Sequence, residues 1–295
     1  MAVLVFLLLR LTPGDPAAIL AGDAASTEQI ARIRAELGLE RPITTQFAIW
    51  IGQVVTGNLG QSFYYKMDVA TLIAQRVEPT FALAALTIFL SIIIAIPLGI
   101  LAAWRHGGWL DRAVMAFSVM GFSVPVFVIA YLLIWLFALK LGWLPVQGYI
   151  RLADNFYLSI RHLILPAFTL SFIYIALIAR VTRASMLEAL GEDYIRTARA
   201  KGLPELRVLV RHALANAAVP IVTVIGLGVA LLIGGVVVTE SVYAIPGLGR
   251  LTVDAVLARD FPTIQGVILF FSFVYVMVNL LVDLSYVFLD PRIRY

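Results

Sequence analysis

Apolar residues dominate this chain in long uninterrupted stretches, and polar residues gather in short segments between them. Stretches 80–103, 113–139, 213–239 and 263–289 are each long enough as helix to cross a hydrocarbon core of about 30 Å, which takes about 20 residues. A fifth, 163–179, is at the short limit. Pro97, Pro125 and Pro220 fall inside three of these runs and Pro166 near the start of the fifth. Proline is tolerated in a membrane helix where neighbours satisfy the freed carbonyls, so these positions read as simple bends or as hinges. The opening "MAVLVFLLLRL" reaches only about 16 Å as helix and reads as an incomplete or mis-started first span. It lacks the basic lead and the A-x-A site of a signal peptide. Segment 12–79 is less apolar. Ser26 and Gln29 fit an S-x-x-Q capping box ahead of a helix ending at Gly38, and a second short helix is expected from about 43 to 56, stopping at Gly57. This segment reads as a small extracytoplasmic cap, either a connector on the membrane surface or a gating or docking element.

Composition sharpens the class. The chain is 61% hydrophobic and 14% charged, with mean hydropathy +0.95, against about a quarter charged residues in soluble domains. The reading is an all-α, polytopic membrane protein in a lipid bilayer. A net charge of +4 does not indicate nucleic acid, because the basic residues sit in short loops between apolar runs, as membrane orientation requires. Loops 104–112 and 180–212 with the tail 290–295 hold 11 of the 22 Lys and Arg in about 48 residues, and the other 11 are spread over about 115. The denser set is expected in the cytoplasm, with 12–79, 140–162 and 240–262 outside. Cysteine is absent, which excludes disulfides and thiolate metal sites.

Catalytic chemistry is not apparent. His106, His162 and His212 are far apart, "GFSVP" around Ser123 lacks the second glycine of a nucleophile elbow, and no lysine follows a glycine, so no phosphate loop is possible. No catalytic site, metal or cofactor is expected. Within the spans Asp283, one turn after Asn279, is the clearest ionisable residue. There is no chain of buried acids to carry protons, so the energy for any transport is expected from a partner.

The most polar run in the second half is "GEDYIRTARAKGL", 191–203. At 100° per residue Tyr194, Ile195, Ala198 and Gly202 share one helical face, with Arg196, Arg199 and Ala200 opposite. Small residues at Ala198 and Gly202 permit close approach, which suits a groove on a partner; an interfacial helix on anionic lipid fits the periodicity about as well. The longer run "SMLEALGEDYIRTARAKGLPELRVLVRHALANAAVP" closely resembles the cytoplasmic loop of ABC-importer permeases of the dipeptide, oligopeptide and nickel branch. Arg196, Thr197, Ala198 and Gly202 occupy the positions of that loop's E-A-A-x3-G pattern. "LTPGDPAA", "RAELGLERP", "GNLGQS", "VYAIPGLGRL", "RDFPTIQG" and "NLLVDLSYVFLDPRIRY" extend the resemblance over nearly the whole chain.

The resemblance implies a type I importer permease fold of six spans, the first incomplete here: 1–11 a partial first helix, 12–79 the cap, and 80–295 the core with a coupling loop at 181–212. It implies that Glu192, Asp193, Tyr194, Ile195, Arg196, Thr197, Ala198, Arg199, Lys201 and Gly202 engage a cytoplasmic ATPase. The implied partners are a second homologous permease, two ATPase subunits or domains that bind the ATP, and an extracytoplasmic substrate-binding protein. The expected cargo is a dipeptide or oligopeptide. Nickel is the alternative within the class, and a non-transporting membrane scaffold or sensor the alternative outside it.

Overall fold

The computed structural model describes residues 2–11, 17–18, 26–36 and 38–289. The tail 290–295, expected in the cytoplasm, lies outside them, as do parts of segment 12–25. The helices are α1 Ala2–Leu11, α2 Thr27–Glu36, α3 Ile43–Val55, α4 Val69–Trp104, α5 Trp109–Ser123, α6 Val126–Leu133, α7 Phe156–Gly191, α8 Asp193–Ala200, α9 Glu205–Arg207, α10 Leu214–Val242, α11 Leu248–Leu257 and α12 Phe261–Leu289. Two π-helical stretches, Ile134–Lys140 and Val208–Ala213, extend α6 and join α9 to α10. No β-strand occurs among the described residues, only an isolated bridge between Gln61 and Asp68.

The chain divides into two compact units, one of residues 1–78 with 247–274 and one of 79–246 with 275–295. In the first, the expected capping box forms: the Gln29 amide donates to Ser26 Oγ (3.3 Å) and the Ser26 amide to Gln29 Oε1 (2.9 Å). Gly38 and Gly57 take the left-handed φ of +66° and +83° that ends each short helix. Phe6 is buried edge-on against Phe47 of α3 (5.1 Å between centroids). A second cluster joins Val69, Leu72 and Ile73 to Leu248, Leu251 and Val267. Its polar anchor is Asp260, fully buried, which accepts from Ser62 Oγ, the Phe63 amide (3.0 Å) and Thr263 Oγ1 (2.7 Å).

The second unit is built around α7, whose apolar stretch is 67% buried within the chain, against 6% for α12. Helix α7 is thus the mast of the bundle, while little of α12 is covered by its own chain. Helices α5, α6 and α10 pack on α7 around Leu163, Leu170, Ile175 and Ile178. Some polar side chains buried here are paired, which offsets the cost of burying them: Thr80 Oγ1 donates to Glu240 Oε1 (2.6 Å), and Thr169 Oγ1 lies 2.7 Å from the Tyr243 hydroxyl. The hydroxyls of Ser159, Thr182 and Thr239, in contrast, are buried without a hydrogen-bond partner among the described residues. Glu240, which the hydropathy pattern places at a span edge, is wholly buried.

The run 113–139, expected as one span, is broken. Helices α5 and α6 diverge by 105° across Ser123–Pro125. Pro125 has no N–H to continue the ladder, and Val124 before it is extended (φ −91°, ψ 123°), as the proline ring favours. Pro97, Pro166 and Pro220 lie inside unbroken helices. The broken pair nevertheless covers a membrane's thickness. At one end Asp111 binds Arg183 of α7, and at the other the Trp143 carbonyl accepts from Arg161 Nη2 (3.0 Å). These arginines are 22 residues apart on one continuous helix, about 33 Å at 1.5 Å per residue. With the four long apolar helices, the pair brings to five the segments among the described residues that are long and apolar enough to cross a membrane.

Close helix packing yields a test. A Cβ at Gly99 would lie 2.6 Å from Thr182 Cβ and 2.8 Å from the Ala179 carbonyl oxygen, whereas one at Gly52 would meet nothing within 4 Å. Gly99→Ala is expected to force α4 from α7 and cost about 1–3 kcal/mol. Gly52→Ala is expected to leave thermal unfolding in detergent unchanged or slightly higher. Equal melting of the two variants would contradict the packing.

Candidate functional site

The polar run 191–203 folds as expected, but its faces are used differently. Glu192 leaves α7 in extended conformation (φ −74°, ψ 150°) and α8 restarts at Asp193. Ile195 and Ala198 point back into their own chain, 0% and 7% exposed. They join Met186, Ala189, Val208, Leu209, Ala213 and Ala217 in one apolar cluster. Ile195 and Ala198 therefore seat α8 on its own chain and are not free to enter a groove on a partner, while Tyr194 and Gly202 of the same face are exposed. Gly202 has a separate reason for being glycine. Its φ is +74°, its amide donates to Arg199 O (2.9 Å) and the Leu203 amide to Ala198 O (3.3 Å), the paired bonds of a Schellman cap. A Cβ there would meet nothing, so steric crowding plays no part.

What α8 shows to solvent is polar. Asp193, Arg196, Thr197, Arg199, Ala200 and Lys201 are exposed. Arg196 pairs with Asp193 (3.2 Å), and Arg199 makes two bonds to Glu205 (2.6 and 3.2 Å), which tie α8 to α9. Leu206 (73% exposed) and Val210 add an apolar edge. Beside them, Glu188, Glu192, Tyr194 and Asn216 line a polar cleft of about 310 Å³. The expected residues thus sort into two groups: Ile195 and Ala198 hold the helix, while Glu192, Asp193, Tyr194, Arg196, Thr197, Arg199 and Lys201 are on its exposed surface. No group of three or more potential metal ligands occurs among the described residues.

Residues 95–295 match the family described as binding-protein-dependent transport system inner membrane component, and residues 1–84 match its N-terminal counterpart. The chain belongs to this family. It is 54% identical to a probable peptide ABC transporter permease of Sinorhizobium fredii, over 99% of this chain and 94% of that one. It is 47% identical to a putative peptide transport system permease of Brucella abortus (100% and 94% covered) and 44% identical to a glutathione transport system permease of Escherichia coli (100% and 94%). In fold it matches an inward-facing crystal structure of the MetNI methionine ABC transporter, with TM-score 0.62 and 18% identity over 74% of this chain and 96% of that one. The chain is therefore a permease subunit of an ABC importer, a multi-pass protein of the bacterial inner membrane whose family works with an ATPase and a binding protein.

A clasp that the sequence reading missed fixes the permease's shorter loop to the helix that carries α8. Asp111, 3% exposed, receives Arg183 Nε at Oδ1 and, at Oδ2, Arg183 Nη2 (2.8 Å) and the Gly107 amide (2.9 Å). His106 Nδ1 lies 3.2 Å from Asp111 Oδ2 and 3.1 Å from Arg183 Nη2; one nitrogen donates to the first or accepts from the second, not both. Asp111 lies two residues before the apolar run begins. The Arg183 hydrogen bonds hold its carboxyl well below the usual carboxylate range, against the opposing effect of burial.

A depressed carboxyl gives its full stabilisation above the unfolded value of about 4 and loses it as pH falls further. The clasp is therefore fully formed across neutral pH. Asp111→Asn is expected to cost about 1.5–3 kcal/mol at pH 7, the range for hydrogen bonds to charged groups, and the gap to wild type should narrow below about pH 4. Thermal unfolding in detergent across pH measures this; a deficit that grows in acid would refute it.

Proposed function

We propose that this permease forms half of the translocation path of a peptide importer. It pairs with a second homologous permease, receives cargo from an extracytoplasmic binding protein, and is driven by two cytoplasmic ATPase subunits or domains that seat against α8. The names of its relatives favour peptide or a peptide-like thiol such as glutathione over nickel. With no phosphate loop in the sequence, the chain itself hydrolyses no ATP. The observation that carries the coupling role is α8 itself: an eight-residue helix locked on its inner face by Ile195 and Ala198 and open on its outer face. Such a part transmits force without deforming. Coupling requires only that the ATPase bind one permease conformation better than the other.

Sidedness follows from charge density, which puts loops 104–112 and 180–212 in the cytoplasm. The Asp111–Arg183 clasp supports placing both loops on one side. Single cysteines at Gly108 and Glu192, in a chain that has none, should resist an impermeant thiol reagent in intact cells.

The docking surface is tested by charge. Arg196→Glu combined with Lys201→Glu is expected to lower retention of the ATPase by about tenfold or more, about 1.4 kcal/mol, with normal insertion. Gly202→Ala, which forces alanine to φ +74°, should cost about 1–2 kcal/mol locally and weaken retention less. Full retention by the double variant in a pull-down from mild detergent would exclude this surface as the docking face. If α8 instead rests on anionic lipid, vesicle binding would fall while ATPase retention stayed constant.

A further inference from the structure

The break between α5 and α6 lies at a depth where lipid cannot cover it. Gly121, two residues before it, sits against α7: a Cβ there would be 2.8 Å from Ala176 Cβ and 3.3 Å from the Phe172 carbonyl oxygen. That level is about 13 Å along α7 from Arg183 and about 20 Å from Arg161, well between the two ends of the crossing. Phe122, Ser123, Pro125 and Phe127 around the break are all exposed in this chain. Val124 closes the end of α5 by donating to Met120 O (3.1 Å), and α6 opens with Val128 donating to Pro125 O (3.0 Å). Among the described residues, no backbone donor reaches the carbonyls of Phe122 and Ser123. The Ser123 hydroxyl turns away, donating to Val119 O (2.9 Å).

Non-helical backbone at hydrocarbon depth is tolerated only where protein buries it or water fills the space beside it. This chain does not bury it. A surface of open carbonyls between two exposed aromatic rings, with the Arg180 guanidinium 5.3 Å from the centre of the Phe122 ring, also has a definite chemical preference. It accepts hydrogen bonds from the N–H groups of any extended peptide, and its rings pack against side chains of any kind. Broken helices in secondary transporters take a comparable position beside the substrate.

We infer that the break at Ser123–Pro125 is part of the wall of the translocation path. The Phe122 and Ser123 carbonyls accept hydrogen bonds there from water and from the backbone amides of a passing peptide. The peptide part rests on the importer reading above; the wetted wall does not.

The test uses the complete transporter, with both permeases and the ATPase, in inverted membrane vesicles. Ser123→Cys and Phe127→Cys are made singly in the cysteine-free chain, with Gly108→Cys as a loop reference. The probe is the permanently charged reagent trimethylammonium-ethyl methanethiosulfonate. Ser123→Cys, nearly isosteric, is expected to react within about tenfold of the reference rate, since exposure governs thiol reactivity, and a dipeptide mixture enclosed in the vesicle lumen with the binding protein should slow it. Phe127→Cys should behave alike. If both positions ignore the charged reagent and react only with a lipid-soluble maleimide, or with neither, the inference is overturned. A complex that transports peptide yet leaves both cysteines unmodified sinks the wall and spares the peptide reading. Rapid modification in a complex that carries no peptide keeps the wall and sinks the peptide reading.

Discussion

Hydrocarbon offers the peptide backbone no hydrogen bond, and most of this architecture follows from that fact. Each crossing must satisfy its own amides, so the chain spends its apolar runs on helices and confines its irregular backbone to short connections. The most polar side chain that enters the bundle arrives with a partner, Thr80 for Glu240, and Thr169 meets Tyr243, while the small hydroxyls of Ser159, Thr182 and Thr239 are buried unpaired among the described residues. Charge is pushed to the ends, where Asp111 and Arg183 meet just beyond the apolar run. At Ser123–Pro125 the backbone pairing is interrupted at depth, and the surrounding structure has to answer for it.

The same constraint explains why the spans were legible in the sequence. A crossing is a local property: about 20 apolar residues suffice to announce one, whatever surrounds them. Helix ends in the first unit were legible for a similar reason, since the Ser26–Gln29 box and the glycines at 38 and 57 act within one turn. The polar helix after Glu192 was also placed correctly. Its orientation was not. Periodicity puts Ile195 and Ala198 on one face, but it cannot say whether that face meets a partner or the chain's own Met186, Val208 and Ala213, which come from elements on either side. Gly202 misled in the same way, since a left-handed cap and a close contact both ask for the smallest residue.

Long-range pairs were the other omission. Nothing near Asp111 points to Arg183, 72 residues away, and nothing near Asp260 points to Ser62. Four prolines in apolar runs looked alike, yet only Pro125 follows an extended residue and breaks its helix. Glu240 falls one residue past the run 213–239, where hydropathy alone does not separate a buried residue from an interfacial one.

One dimension of α7 has a mechanical consequence. It is a single helix of 36 residues, about 54 Å long, and so protrudes well past a hydrocarbon layer of about 30 Å. Carrying α8 at its far tip and the bundle core along its middle, it has the proportions of a lever with its fulcrum in the membrane. A tilt of about 5° about its midpoint would swing the tip by about 2–3 Å, half the rod's length times the angle. Motion of that size at the α8 end would be shared, in reverse sense, by the opposite end of the rod, with no residue in α7 needing to change conformation.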